Sequence, residues 1–405
     1  MSSITVPYMP QPVFSVEEGA SPSIPRVLIS PYRYIQGDGV LDHLGRYLSI
    51  IPSKRTAVLI SEGGRQRNGA GLLKSLSTAR IEGVMVTFQG ECSYEEIDRV
   101  VDLLQVEASP VDCLVAVGGG KCVDAGKSIA YRLGIPVVIC PSLASNDAPC
   151  SALSVIYTED GAFKAFEFFP MSPALVVVDT RIIAKAPVRY LVAGMGDAMA
   201  TWYEARTCLQ SHRGRSVIGA RPTLAAGALA ELCANTLFKH GIAAVEAVKN
   251  TQVDDALEGV VEANTLLSGV GFESGGITVA HSITQGLTMV HAVHQRYLHG
   301  EMVAIGLLAQ LVLEEKIGEA RQVAEFFAKV GLPIHLGQIG LSLDHKRQLD
   351  DVVEAAMTMM LAFVKNEPFD VDAEMLLDAV LQSHELGLQI AQSVGDEAYR
   401  AMHET

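Results

Sequence analysis

The sequence predicts a doubly wound α/β domain at the N-terminal side, followed by an all-α C-terminal domain. Three observations carry that prediction. Between about Lys54 and Asp179, short apolar runs alternate with helix-like stretches. From about Arg181 onward, strand signals give way to long segments of helical periodicity. The composition is 49% hydrophobic, 19% charged and 6% aromatic with 36 glycines, which suits an Ala/Val/Gly-rich α/β protein better than a β-sandwich.

Taken in order, residues 1–25 carry five prolines among polar residues and read as a flexible arm or an oligomer-contact strap. The α/β domain is expected over 26–180. Its strand candidates are TAVLI (56–60), VMVTF (84–88), CLVAV (113–117), PVVIC (136–140) and LVVVD (175–179). They are rich in β-branched residues and almost continuously apolar, as strands buried on both faces of a parallel sheet are. Helix candidates between them include YEEIDRVVDLLQ (94–105) and VDAGKSIAYRLG (123–134), where apolar residues recur at i, i+3 and i+4. Residues 151–169 break the rhythm, and a Glu-Asp-Gly turn between β-prone flanks predicts a hairpin. The helical domain is expected over 181–405, with Gly and Pro at helix ends and no fixed-period repeat.

Composition narrows the function. A formal net charge of −15 with no basic stripe argues against nucleic acid as a partner and describes a solvated acidic surface. Seven cysteines, an odd number without a CxxC pair, fit a reducing cytoplasm. No apolar run approaches the ~18 residues of a membrane span, and the first residues lack the pattern of a secretory signal.

The segment VAVGGGKCVDAGKSIA places Gly118, Gly119 and Gly120 directly after a strand and before a helix. Backbone without Cβ atoms can approach a pyrophosphate, and the helix N–H groups then face the anion. Lys121 offers a positive charge beside it. The spacing is neither GxGxxG nor a Walker A sequence, so a tight turn without a ligand is an equal reading. Asp124, on the first helical turn, is either an acid complementing the helix dipole or an acceptor for a cofactor amide. Ser142, Ser145 and Ser151 follow the next strand on the same sheet edge, where loop serines are usually turn formers.

Asp197 lies inside the apolar helical stretch GMGDAMATWYEA, and His281 in an equally apolar one. A buried unpaired carboxylate is costly, so Asp197 calls for a cation. With His299 these residues would make a three-donor metal site with an open coordination position, as a catalytic metal requires. Singly, each histidine is more often an ordinary surface or hydrogen-bonded residue.

The motifs GGGKxxDxxK, PSLASNDAPCSALSVIYTEDG, VVVDTRIIAKAPVRYLVAGMGDAMATWYEAR, VVEANTLLSGVGFESGG and AH…HGE are long and in order. Together they resemble the glycerol dehydrogenases of the group III, iron-containing-type alcohol dehydrogenase superfamily, from about Pro31 to at least Gln310. The resemblance implies a Rossmann-like domain plus a helical domain, the dehydroquinate synthase-like fold. It implies zinc held by Asp197, His281 and His299. It implies NAD bound by Gly118, Gly119, Gly120, Lys121 and Asp124, with Ser142, Ser145, Ser151, Leu153 and Tyr157 closing the pocket. Asp147, in SNDAP, matches the family's substrate-contacting position. The expected reaction is oxidation of a vicinal diol, glycerol to dihydroxyacetone, in a cytoplasmic homo-oligomer, an octamer among its sizes.

The sequence also departs from the family pattern. Thr201 stands where iron-using members carry a further histidine, which favours zinc. Ser61 and Glu62 stand where an Asp often meets the adenosine ribose; a carboxylate there would still disfavour the 2′-phosphate of NADP. Thr284, followed by Gln285, replaces a second histidine three residues after His281. A dehydroquinate-synthase-like lyase is the competing enzyme, but it needs several basic residues in its pocket, and outside the 176–206 segment these motifs carry only Lys121 and Lys127. A non-catalytic nucleotide-binding protein would be expected to lose a ligand position, and none of the three is lost.

Overall fold

A computed structural model describes residues 7–14, 24–106, 109–344 and 346–403. The five apolar runs become β2 (Arg55–Ser61), β3 (Glu82–Phe88), β4 (Cys113–Gly118), β5 (Val137–Pro141) and β8 (Leu175–Asp179). With β1 (Tyr34–Gly37) they form one six-stranded sheet in the order β1-β8-β5-β4-β2-β3, parallel throughout. β1 was not foreseen: YIQG is four residues long, half-buried at each, and shows no apolar run. The hairpin between β5 and β8 is present as antiparallel β6 (Leu153–Tyr157) and β7 (Phe163–Phe168).

Strand order explains where a ligand can sit. From β2 the chain crosses outward to β3, then returns to place β4 on the other side of β2. The connections therefore leave β2 and β4 in opposite directions, opening a crevice at their carboxyl ends. Ser61 ends one of these strands and Gly118 the other. The helices α1 (Glu62–Thr78), α2 (Tyr94–Gln105) and α3 (Gly120–Leu133) cover the sheet. Ser61 caps α1 by accepting from Gly64 N, and Gly119 is the N-cap of α3.

Beyond β8 the structure is helical. The relevant elements are α4 (Val188–Gln210), α5 (Leu224–Lys249), α6 (Ser268–Gly275), α7 (Val279–Thr288), α8 (His299–Leu313), α9 (Ile317–Val330) and α10 (Glu397–His403). The long apolar segment after His299 is two helices rather than one. It breaks at Glu314–Lys316, with Glu315 at φ 58°. One core cluster joins sheet residues Ala116, Ile139, Val176 and Val178 to Met195 and Met199 of α4 and Leu237 of α5. Helix α4 is thus seated directly on the sheet.

Of the N-terminal arm, residues 7–14 contact the rest of the chain. Tyr8 bridges Phe168 of β7, and Phe14 packs near Leu153 and Phe272. Most of the remaining arm lies outside the described residues. All seven cysteines are free and buried. Among the described residues, no helix is long and apolar enough to cross a membrane.

Candidate metal and cofactor site

Asp197, His281 and His299 converge. Asp197 is fully buried on α4, His281 lies in the first turn of α7, and His299 begins α8. Asp197 Oδ1 stands 3.4 Å from Nε2 of each histidine and has no hydrogen-bond partner of its own. The other carboxylate oxygen, Oδ2, accepts from the backbone N–H of Asp147 at 3.1 Å. Burial raises the Asp197 pKa, but the neighbouring imidazoles outweigh it and hold the carboxyl well below the usual range. Burial lowers the pKa of His281, yet Glu204 and Asp197 push it well above its ordinary value. The site attracts positive charge.

The donor spacing tests the fit to a metal. Bonds of ~2.0–2.1 Å to a tetrahedral ion place neighbouring donors about 3.3 Å apart, whereas an octahedral ion with the same bonds places them about 2.9 Å apart. The two Asp197–histidine spacings of 3.4 Å lie near the tetrahedral edge, and all three donor atoms fall within 4.8 Å of one another. A buried carboxylate oxygen without a hydrogen bond is otherwise hard to account for. The residues present fit a divalent cation.

Close backbone packing creates this spacing. A Cβ on Gly300 would lie 1.7 Å from the Ala193 carbonyl oxygen and 3.0 Å from Asp197 N. Only a glycine lets the start of α8 come so near α4. Similarly, a Cβ on Gly194 would sit 2.0 Å from the Ala144 carbonyl oxygen, so glycine there lets the 142–147 loop reach α4.

Glu204 is the residue that sequence reasoning missed. It is fully buried, and its Oε2 lies 2.6 Å from His281 Nδ1. Its Oε1 accepts from Thr278 N at 2.8 Å and His281 N at 3.1 Å. A carboxylate on the far ring nitrogen fixes both the tautomer and the orientation of a ligand histidine. The signal was available: Glu204 is seven residues after Asp197, hence on the same helix face. Glu204→Gln should weaken metal affinity by roughly 10–100-fold. Competition with a chromogenic chelator checks it.

The cofactor candidates fall in different local settings, and only the glycine turn lies at the carboxyl end of β4 beside the β2/β4 crevice. Gly118, Gly119 and Gly120 form the β4–α3 turn, and a Cβ on Gly120 would meet the Asn146 amide at 2.4 Å. The loop after β5 therefore lies across the glycine turn. Asn146 faces that turn while the next residue, Asp147, donates its N–H to Asp197. Two neighbouring residues thus touch the two halves of the site. Ser142 bonds its N–H to Gly118 O at 2.8 Å and, like Ser145, is partly exposed.

Others are already engaged. Lys121 pairs with Glu91 at 2.7 Å, and its ammonium lies 5.8 Å from the Tyr157 ring centroid. Asp124 is buried, pairs with Lys127 at 2.9 Å and accepts from Val155 N at 3.1 Å. Burial raises its pKa, and Lys127 opposes that rise. Lys127 also donates to Ala148 O at 3.0 Å, to Ser151 Oγ at 3.1 Å and to Leu153 O. Asp124, Ser151 and Leu153 thus share one buried lysine. Tyr157 stacks on His294, which donates from Nε2 to Gly161 O at 2.7 Å. That contact ties the β6–β7 hairpin to the helical half.

The model of the iron-containing alcohol dehydrogenase family matches residues 31–180. A glycerol dehydrogenase of Thermotoga maritima is 44% identical over 89% of this chain and 97% of its own length. The chain belongs to the glycerol dehydrogenase family of alcohol dehydrogenases. A glycolaldehyde reductase of Halobacterium salinarum is 40% identical over 90% of this chain and 98% of its own length. The crystal structure of a Schizosaccharomyces pombe glycerol dehydrogenase superimposes with a TM-score of 0.86 at 34% identity, covering 91% of this chain and 93% of that one. The expected fold and family are borne out, and with its family the chain is an NAD-dependent oxidoreductase of alcohols, with a metal implied.

Within that family its departures have visible consequences. Thr201, one turn after Asp197, is buried and bonds to Ser268 Oγ at 2.8 Å. Ser268 in turn donates to Asp147 Oδ2 at 3.5 Å. Thr201 therefore braces Asp147 and adds no fourth donor. Burial, with Asp197 next in effect, raises the Asp147 pKa well above the usual range. Thr284 turns its hydroxyl back to Ala280 O at 2.8 Å. Glu62 is exposed at the carboxyl end of β2, on the crevice side.

Proposed function

We propose that this chain catalyses the reversible, NAD- and zinc-dependent oxidation of a vicinal diol, glycerol giving dihydroxyacetone. The observation that carries this reading is the open three-donor cluster at Asp197, separated only by the Asn146–Asp147 step from the glycine turn. Bound there, zinc supplies Lewis acidity toward a diol oxygen and NAD supplies the hydride acceptor. The hydroxyl of Thr201 in place of a fourth imidazole favours zinc over iron in this chain.

The chain's residues then have separate tasks. Asp197, His281 and His299 hold the metal, and Glu204 orients His281. Gly118, Gly119 and Gly120 let a pyrophosphate approach the start of α3. Lys121, Asp124, Ser142, Ser145, Ser151, Leu153 and Tyr157 shape the pocket around the cofactor. Asp147, propped by Ser268, accepts a hydrogen bond from a substrate hydroxyl and takes up its proton at a carboxylate oxygen. Glu62 repels the 2′-phosphate of NADP. The reading includes a cytoplasmic homo-oligomer, as in the family it resembles, and the free buried cysteines suit that compartment.

The Halobacterium relative favours a second substrate reading, reduction of a two-carbon hydroxyaldehyde. One assay separates them. NADH formation is followed with glycerol, 1,2-propanediol and ethylene glycol, and NADH consumption with dihydroxyacetone and glycolaldehyde, before and after chelator treatment. Chelator-sensitive turnover highest with glycerol and dihydroxyacetone is expected. A marked preference for glycolaldehyde favours the second reading, and no turnover with any of the five contradicts both.

A further inference from the structure

The two candidate histidine ligands are held in different ways. His281 is gripped through its ring, because Glu204 holds Nδ1. The side chain of His299 is 44% exposed, and among the described residues no hydrogen bond reaches its Nδ1. Apart from the 3.4 Å approach of its Nε2 to Asp197 and the neighbouring His281 ring, its placement depends on the backbone that carries it.

That backbone is clamped at Glu301, two residues on and 1% exposed. Its Oε2 accepts from Leu298 N at 2.8 Å, closing residues 298–301 into a small ring around His299. Arg189 grips the same carboxylate with two bonds of 2.7 Å, from Nε to Oε1 and from Nη2 to Oε2. Arg189 sits eight residues before Asp197 on α4. The pair therefore links the helix carrying the metal carboxylate to the residue carrying His299. Paired carboxylate–guanidinium bonds of this kind fix geometry as well as supply energy. From the other side, His403 Nε2 reaches Glu301 Oε1 at 3.0 Å. Its Nδ1 faces Tyr399 O at 2.8 Å, and its ring stacks on Tyr399 with centroids 4.0 Å apart. Both ring nitrogens are engaged and the plane is fixed, so α10 presents a rigid donor to Glu301.

We propose that Arg189, Glu301 and His403 form a positioning brace that sets the orientation of His299, and that α10 completes the metal site through His403. None of the three belongs to the donor cluster itself. The proposal rests on the reading of Asp197, His281 and His299 as ligands. It assigns a role to a residue 104 positions from the ligand that it steadies.

The test uses the full-length protein loaded with Co(II), whose visible bands report ligand geometry. The parent, His403→Ala, His403→Gln and Asp197→Asn are compared for cobalt spectrum, for rate of metal release to a chelator, and for apo-protein Tm. His403→Ala should release metal roughly 10-fold faster, in the range of other outer partners of ligand histidines. Its cobalt bands should shift, whatever fall in apo-protein Tm follows from losing the Tyr399 stacking. His403→Gln, which can still donate to Glu301, should recover most of both signals. A parental spectrum and release rate in His403→Ala would overturn the brace. So would a fall in apo-protein Tm with the spectrum unchanged, since that describes a merely structural contact. Failure of the underlying reading looks different: Asp197→Asn would keep its cobalt bands, or the parent would bind none, and the brace would fall with it.

Discussion

Asp197→Asn should abolish stoichiometric metal binding and lower kcat/KM by on the order of 10³-fold, the several kcal/mol of charge stabilisation that a Lewis-acid metal contributes. The amide keeps the shape of the side chain but removes the only carboxylate among the three donors. The metal-free protein should lose stability as well. The two imidazoles hold Asp197 ionised in the folded state, and removing one partner of a buried charge pair is destabilising. The apo-protein Tm should therefore fall, while the increase in Tm on adding zinc disappears. Metal analysis with thermal unfolding at graded zinc concentrations reads both effects. Full occupancy in the variant would remove Asp197 from the ligand set.

Gly300→Ala should be nearly as damaging, by a different route. The new methyl group would lie 1.7 Å from a carbonyl oxygen of α4 and 3.0 Å from Asp197 N. Both are backbone atoms inside a helix, so no side chain can swing aside. The α8 start must move out, carrying His299 with it. Overpacking of this kind costs roughly 1–3 kcal/mol, occasionally more. The loss in metal affinity should exceed that from Glu204→Gln, because metal sites tolerate donor displacements of only about 0.2 Å. Gly318→Ala is the control. Nothing lies within 4 Å of its added Cβ at the start of α9, so Tm and metal affinity should stay near parental. Equal behaviour of the two alanine variants would contradict the close-packing account.

Features that depend on local pattern were legible. Strands β2, β4, β5 and β8 are buried on both faces, so their runs stand out; β3 shows a similar run although it is the half-exposed edge strand, not buried on both faces as expected. Helix α2 falls at its expected residues because its apolar stripe and its Ser93 cap agree. Helix α3 begins at Gly120, three residues earlier than the pattern indicated, since glycine carries no periodicity signal. The break between α8 and α9 is masked because hydrophobic residues continue on either side of Glu314–Lys316.

The site was legible only in part. Asp197 and His281 stand out because a charged or polar side chain in an apolar stretch demands a partner, and His299 came with the family's pattern. Partners distant in sequence leave no such trace. Nothing near Lys121 points to Glu91, 30 residues earlier, and nothing near Glu301 points to Arg189 or His403, each more than 100 residues away. The glycines of the β4–α3 turn show the ambiguity well. Gly120 makes room for Asn146, so its presence alone does not demonstrate a phosphate site.

The most direct measurement is an anomalous-scattering map from crystals of the protein loaded with zinc. One strong peak should appear ~2.0–2.2 Å from Asp197 Oδ1, His281 Nε2 and His299 Nε2, with its remaining face toward the β2/β4 crevice. A zinc peak elsewhere, or these three donors separated with no peak between them, would contradict the assignment of this cluster as the metal centre.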